Sequence, residues 1–488
     1  MSTPTPTIRE YVDGQWATPS IELGPILEDP NTGRLLTPQL ASRPEQVERA
    51  LARAQEIHEQ GQWATSTPEA RAAVLDAVAD RLESELDRIA DLESLATGVV
   101  RGFTGMLGVI VTGSFRLAAM QLRDGILLDT TWDGPTGRKV EVHRYPLGVA
   151  VCLVPWNAPA PMAAHKVANA LAAGCPTILK PSEWAPYGST ALIEALVEAL
   201  DAAGAPTSLL QLVHGGAAVG TQLVGDRRTR AISFTGGLGG GRAIASACAT
   251  DFKPTQLELG GNNSLVILED ASVEAAAAAV VGLLTSLNGQ WCRALGRLVL
   301  PAGRAEELLQ ASIDALAEVK VGSSLDAESQ MGPIVHSGHL SLLRSRLAEL
   351  ESAGGKAHAS TPLPEGDGNW LAPTLVTGLS LEDTLHETFG PIAAVHSYDS
   401  VDEAVAIANG TPYGLEAYVV GADEEAALEV ARRIRAGGVK VNGVSPISLH
   451  IMAPRPAWGL SGTGVEGTLE TLQFFTGLQV VGVEASLP

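Results

Sequence analysis

Val149-Ala150-Val151-Cys152-Leu153-Val154, followed by Pro155-Trp156-Asn157, is the stretch on which the fold turns. Six apolar residues in succession, with no polar alternation, describe a strand buried on both faces. Such strands belong to parallel sheets covered by helices on either side. Downstream, Ala163 to Ala173 has a helical pattern, Thr177 to Lys180 reads as a strand and Ser189 to Ala203 as a helix. Leu209 to Val213 and Ala231 to Phe234 are further strands. Upstream, Pro44 to Gln60 and Pro68 to Ser94 are long segments of helical period. This strand-helix-strand rhythm predicts a doubly wound α/β layer.

A second such rhythm begins after Gly260-Gly261. It runs through Ser264 to Leu268, an alanine-rich helix at Ala275 to Leu284, Gly296 to Leu300 and Ala305 to Val319, and continues to about Gly443. Two segments fit neither layer: Leu127 to Arg144, and Thr468 to Val483. Both read as strand-like, with open edges suited to pairing with each other or with a neighbouring subunit. The predicted fold class is α/β, with two doubly wound domains and a small β extension. The first domain comprises residues 1–123 and 145–259, the second 260–450, and the extension 124–144 with 468–488.

Lys and Arg number 33 against 55 for Asp and Glu, a formal net charge of -22. That field repels phosphate backbones and anionic lipid, so neither nucleic acid nor a membrane surface is an expected partner. The four cysteines, Cys152, Cys175, Cys248 and Cys292, form no C-x-x-C pair. No metal site is expected from them, and their isolation fits a reducing compartment. The N-terminal stretch lacks the basic-then-apolar layout of a signal peptide, so the expected location is cytoplasmic.

Four short segments carry candidate chemistry. Gly289-Gln290-Trp291-Cys292-Arg293-Ala294 holds a cysteine that, taken alone, reads as readily as a small buried hydrophobe. Leu257-Glu258-Leu259-Gly260-Gly261 puts one carboxylate inside an apolar run, where burial raises its pKa toward that of a neutral-pH base. Val154-Pro155-Trp156-Asn157-Ala158-Pro159 fixes an amide between prolines, either as a turn former or as a donor to a developing oxyanion. Ile178-Leu179-Lys180-Pro181-Ser182-Glu183 ends a strand with a cation and an anion three residues apart, at the sheet edge where nucleotides bind. Gly462-Thr463-Gly464-Val465-Glu466-Gly467 matches G-x-G-x-x-G but follows no predicted strand, and it reads as a turn.

In this order and at these separations, the segments resemble the aldehyde dehydrogenase superfamily, in its NAD(P)-dependent, non-acylating branch. The resemblance runs from about Tyr11 to the C-terminus. It includes Phe234-Thr235-Gly236-Gly237 with its Gly236-to-Gly241 spacing, Met331-Gly332-Pro333 and Glu387-Thr388-Phe389-Gly390-Pro391. Tyr413-Gly414-Leu415, Val441-Asn442-Gly443 and Ser461-Gly462 extend it.

The resemblance implies that the Cys292 thiolate attacks the aldehyde carbon. The Asn157 amide and the Cys292 backbone N–H hold the oxyanion of the resulting thiohemiacetal, and Glu258 activates the water that opens the later thioester. It places Lys180 and Glu183 on the adenosine ribose, Glu387 on the nicotinamide ribose, and Phe389 and Trp156 beside the cofactor. Gly236, Gly237 and Gly241 belong to its loop. NAD is the expected cofactor, because Glu183 repels a 2′-phosphate, with NADP also possible. His165, Trp291 and Arg293 are expected around a small aldehyde substrate, with Arg293 pairing a substrate carboxylate, lowering the Cys292 pKa, or forming a structural salt bridge. A homodimer or homotetramer is implied.

Several positions depart from the family pattern. Gly237 stands where Ser is usual, Asn262 where Lys is usual, and His165 where an aromatic Trp often lines the tunnel. Pro454-Arg455-Pro456-Ala457-Trp458-Gly459 replaces a stretch that normally holds Phe, two glycines and Lys. Glycines 239 to 241 are expected to make the cofactor loop flexible. The competing functions are a CoA-acylating semialdehyde dehydrogenase, which generally lacks the Glu258 carboxylate, and a catalytically idle homologue with a binding role.

Overall fold

The computed structural model describes residues 6–134 and 137–484; residues 1–5, 135–136 and 485–488 of the expected first domain and extension lie outside the described residues. Val149–Leu153 is a fully buried strand near the middle of an eight-stranded sheet. That sheet comprises β1 (Glu10–Val12), β2 (Gln15–Ala17), β3 (Val149–Leu153), β4 (Thr177–Lys180), β5 (Leu210–Leu212), β6 (Thr229–Thr235) and β7 (Thr255–Glu258). The two-residue strand Gly462–Thr463 closes its edge. The order is β2-β1-β5-β4-β3-β6-β7 and then that edge strand, with β3 to β7 parallel. The chain winds outward from β3 through β4 to β5, then returns to place β6 on the other side of β3. This reversal opens a crevice at the carboxyl ends of β3 and β6.

The unbroken apolar run of β3 serves two cores at once. Ala150 and Cys152 pack into one with Leu75, Phe115, Leu171 and Leu196. Val149, Val151 and Leu153 point to the opposite face and pack with Val47, Leu51, Leu223 and Ile244. The covering helices include α1 (Pro44–Gln60), α2 (Pro68–Glu83), α3 (Leu86–Thr97), α4 (Gly108–Arg123) and α5 (Pro159–Ala173). They continue with α6 (Tyr187–Ala202), α7 (Ala217–Gly225) and α8 (Leu238–Ala249). Thr67 caps α2 by accepting the Ala70 N–H, with Pro68 in the first turn. The predicted helical run Pro68 to Ser94 is broken at Ser84, whose hydroxyl bonds the Arg81 carbonyl at 2.8 Å and competes with the backbone ladder. One helical stretch, residues 101–123, is long and apolar enough to cross a bilayer. Its Val111, Phe115, Ala118, Ala119 and Leu122 are instead spent on the first core.

The second sheet holds β8 (Asn263–Ile267), β9 (Leu295–Pro301), β10 (Lys356–His358), β11 (Thr374–Thr377), β12 (Ile392–Tyr398), β13 (Glu416–Val420) and β14 (Gly438–Val441). Their order is β10-β11-β12-β9-β8-β13-β14, with only β10 antiparallel.

A third, three-stranded sheet pairs Thr476–Gly482 and Thr130–Asp133 with the two edges of Lys139–Pro146. The expected strand over Thr468 to Val483 is therefore half right. Thr468–Phe474 is a helix, because Leu472 and Phe475 enter the first core on one helical face and Gly467 N–H bonds Thr471 Oγ1.

Candidate active site

A cleft of about 730 Å³ occupies the crevice beside β3 and β6 and reaches Glu258 and Cys292. Trp156, Asn157, Lys180, Glu183, Gly236, Gly237, Glu387 and Phe389 all line it. Gly241 does not: a Cβ there would lie 2.5 Å from Leu259, so this glycine permits close packing of α8 against the strand end. Glycines 239 to 241 are not a flexible loop either, since they form the first turn of α8 behind Gly237 at its N-cap.

Cys292 is seated by an unusual piece of backbone. Leu287 and Asn288 have φ of 46° and 57°, and Gly289 follows with φ 70°. Three successive left-handed residues are costly for non-glycine side chains. Asn288 holds the turn by donating to the carbonyls of Gly98 and Pro333, each at 2.9 Å, and by accepting the Gly332 N–H at 2.8 Å. A Cβ on Gly289 would lie 2.4 Å from Pro391 N. Beyond the turn, Asn157 Nδ2 donates to the Gln290 carbonyl at 2.9 Å, and Asn263 Nδ2 donates to the Cys292 carbonyl at 2.9 Å. The nucleophile loop is thus tied to β3 on one side and β8 on the other.

Cys292 is the one cysteine of the four that is not fully buried. Burial pushes the Cys152 thiol up to about 12 and the Cys175 thiol up to about 11, which leaves both inert. Cys292 and Glu258, at the end of β7, line the same cleft and interact electrostatically. Burial and the Glu258 charge hold the Cys292 thiol well above its ordinary value, and Arg293 opposes them without prevailing. The Glu258 carboxyl is raised in turn, by burial and then by Glu466.

Lys180 Nζ donates to the carbonyls of Pro181 and Gly215, and lies 3.8 Å from the Glu183 carboxylate. Glu387 accepts the Gly261 N–H at 2.8 Å, and burial raises its carboxyl to about 8. Trp156 meets Phe389 edge-on, with centroids 5.3 Å apart. Two further aromatic partners escaped the sequence reading. His339 packs on Trp156 at 5.3 Å and bonds the Phe389 carbonyl at 2.7 Å, while His336 stacks on Trp184 at 3.7 Å. They come from a segment with no recognisable motif, and only the fold brings His339 to the cleft and His336 behind Trp184.

Of the residues expected around the aldehyde, Trp291 packs on the core of the second sheet. Arg293 Nε lies 3.3 Å from Glu416, so the structural salt bridge is the alternative that the geometry supports. His165 is buried on α5, with Nε2 at 3.2 Å from both Thr471 Oγ1 and an Arg455 guanidinium nitrogen. Burial drives its pKa down to about 3, so it is neutral. Beside it, the fully buried Lys166 donates to Glu466 at 2.7 Å and to Ser233 at 2.8 Å. Asn262, at the position where Lys is usual, donates to the Thr384 carbonyl at 2.7 Å and the Leu385 carbonyl at 3.1 Å.

Comparison with known proteins agrees with this geometry. A family model, described as the aldehyde dehydrogenase family, matches residues 26–481. The geranial dehydrogenase of Castellaniella defragrans is 31% identical over 459 residues, 93% of this chain and 94% of that protein. A 3-succinoylsemialdehyde-pyridine dehydrogenase from a Pseudomonas species is 30% identical over 485 residues, 98% of each. The crystal structure of Staphylococcus aureus betaine aldehyde dehydrogenase in complex with NAD+ superimposes with a TM-score of 0.91 at 27% identity, covering 98% of this chain and 94% of that one. With the family pattern spanning the chain and its nucleophile, carboxylate and amide converging on one cleft, the protein belongs to the aldehyde dehydrogenase family.

Proposed function

We propose that the protein oxidises an aldehyde to the carboxylic acid with NAD as cofactor, through a covalent Cys292 adduct. The observation that carries this is the convergence of Cys292, Glu258 and Asn157 on one cleft.

The cleft fits a dinucleotide. Thr235 Oγ1 lines it as a buried hydroxyl with no hydrogen-bond partner among the described residues. A Cβ on Gly260 would fall 1.9 Å from Glu387, so the backbone there leaves room only for that carboxylate and a ligand. Lys180 and Glu183 would hold one ribose and Glu387 the other, with Gly236 and Gly237 at the N-terminus of α8 facing the diphosphate. Glu183 disfavours a 2′-phosphate, which supports NAD over NADP. When bound, NAD supplies the two-electron acceptor.

The chain's own residues do the rest. Cys292 passes its proton to Glu258 as sulfur bonds to the carbonyl carbon, so the nucleophile forms at the moment of attack. The Asn157 amide has two N–H donors, of which one is spent on Gln290. The second N–H and the Cys292 backbone N–H stabilise the oxyanion; one such donor is worth about 3 kcal/mol. Once it has released that first proton to solvent, Glu258 takes a proton from the water that opens the thioester, which favours hydrolysis over transfer to CoA.

The protein as a homo-oligomer is part of the same reading. The three-stranded sheet exposes Trp132, Leu478 and Val480, 66%, 62% and 68% accessible, an apolar edge suited to a second copy. An aldehyde panel scored by NADH absorbance tests the central reading, with Cys292→Ala as control. Acid must form without CoA. A Cys292→Ala enzyme that kept its dehydrogenase rate would refute the covalent route.

A further inference from the structure

We propose that Arg455 is a substrate-recognition residue and that the preferred substrates are short aldehydes carrying a carboxylate, bound by its guanidinium. The inference rests on the dehydrogenase reading and deepens it.

Arg455 reaches the reacting groups through strand register. Gly462 pairs with Glu258 on β7, and a few residues away Arg455 pairs with Glu466 across the short ladder Arg455–Pro456 with Val465–Glu466. The guanidinium consequently stands within electrostatic range of Glu258 and Cys292. Its side chain keeps 30% of its surface accessible, so its free donors are open to a ligand.

Its bonding capacity is barely used. A guanidinium has five N–H donors. Among the described residues Arg455 makes one hydrogen bond, to the neutral His165 at 3.2 Å, and one loose ion pair with Glu466 at 3.9 Å. Glu466 is already matched by Lys166 at 2.7 Å. Arg293 is committed to Glu416 at 3.3 Å. Arg455 is thus left with most of its donors unspent.

A guanidinium with free donors is a planar fork suited to bind a carboxylate through two parallel bonds. Because Arg455 lies close to the nucleophile, the carboxylate must sit only a few carbons from the carbonyl. The sequence reading assigned this role to Arg293 as one alternative; the geometry transfers it to Arg455.

The test compares 4-oxobutanoate with butanal and 5-oxopentanoate with pentanal, each followed by NADH formation. Wild-type enzyme is expected to favour the carboxylated member by tenfold or more in kcat/KM. In Arg455→Gln that ratio falls ten- to a hundredfold, mainly through a higher KM for the carboxylated aldehyde. Arg455→Lys, which keeps the charge and loses the fork, falls between and serves if the Gln variant does not fold. A wild-type enzyme indifferent to the carboxylate, or a Gln variant with the wild-type ratio, overturns the proposal. Turnover of the neutral aldehydes alone would defeat only this inference. Turnover of none of the four would defeat the dehydrogenase reading with it.

Discussion

Glu466→Gln should destabilise the protein by about 3–5 kcal/mol, the range for removing one partner of a buried ion pair. Lys166 has no solvent-exposed side-chain surface, and its ammonium lies 2.7 Å from the Glu466 carboxylate. At an effective dielectric near 20, the attraction at that separation is about 6 kcal/mol, part of which offsets the desolvation of both groups. The carboxyl gives a second measure. Burial raises it, but its charged neighbours, Lys166 first, bring it from 4.5 down to about 2. That depression corresponds to about 3 kcal/mol of native-state preference for the ionised form.

The sign follows. A carboxyl depressed in the folded state adds stability that is fully present above its unfolded value and is lost as the pH falls through its folded value. The gap between wild type and Glu466→Gln should therefore narrow by about 2 kcal/mol between pH 6 and pH 3. Urea unfolding midpoints of wild type, Glu466→Gln, Lys166→Met and the Lys166→Met/Glu466→Leu double variant measure it. The double variant should be more stable than the two single losses predict, since no charge is left alone. Single variants within about 1 kcal/mol of wild type, additive losses, or a gap that does not change with pH would each refute the reasoning.

Glu258→Gln removes the base and also the like charge that holds the Cys292 thiol up. Turnover should fall by about a hundredfold or more, while iodoacetamide alkylation of Cys292 shifts to lower pH; a profile that stayed in place would contradict a thiol raised by the Glu258 charge. Thr235→Val deletes an unpartnered buried hydroxyl, so the free protein should melt no lower than wild type while the Kd for NAD, read by fluorescence titration, rises several-fold. Equal Kd values would remove Thr235 from the cofactor site. Gly241→Ala puts a methyl 2.5 Å from Leu259, next to Glu258, and should cost about 1–3 kcal/mol. Its thermal melt and kcat should fall together, and an unaltered melt would show that the strand end yields freely.

Much of the architecture could be read along the chain, because its signals are local. The unbroken apolar run at β3 announces a strand buried on two faces, and that is where two cores meet. Thr67-Pro68 announces a helix start, and α2 begins there. Glu258 and Asn157 could be singled out as polar side chains at the ends of apolar runs, and Cys292 through the family resemblance. Where local signals misled, tertiary packing was the cause: Thr468–Phe474 is rich in β-compatible residues yet helical, since Leu472 has a core to fill.

The sequence by itself thus determined the fold class, since periodicity is written in neighbouring letters. Only the tertiary structure decided how the charges pair. Lys166 and Glu466 are 300 residues apart in sequence, and Arg455 and His165 are 290 apart. Strand register brings these partners together, and no local pattern encodes which of two arginines is left with its donors unspent. Coulomb energy depends on separation in space, and chain order does not fix that separation until the sheets have formed.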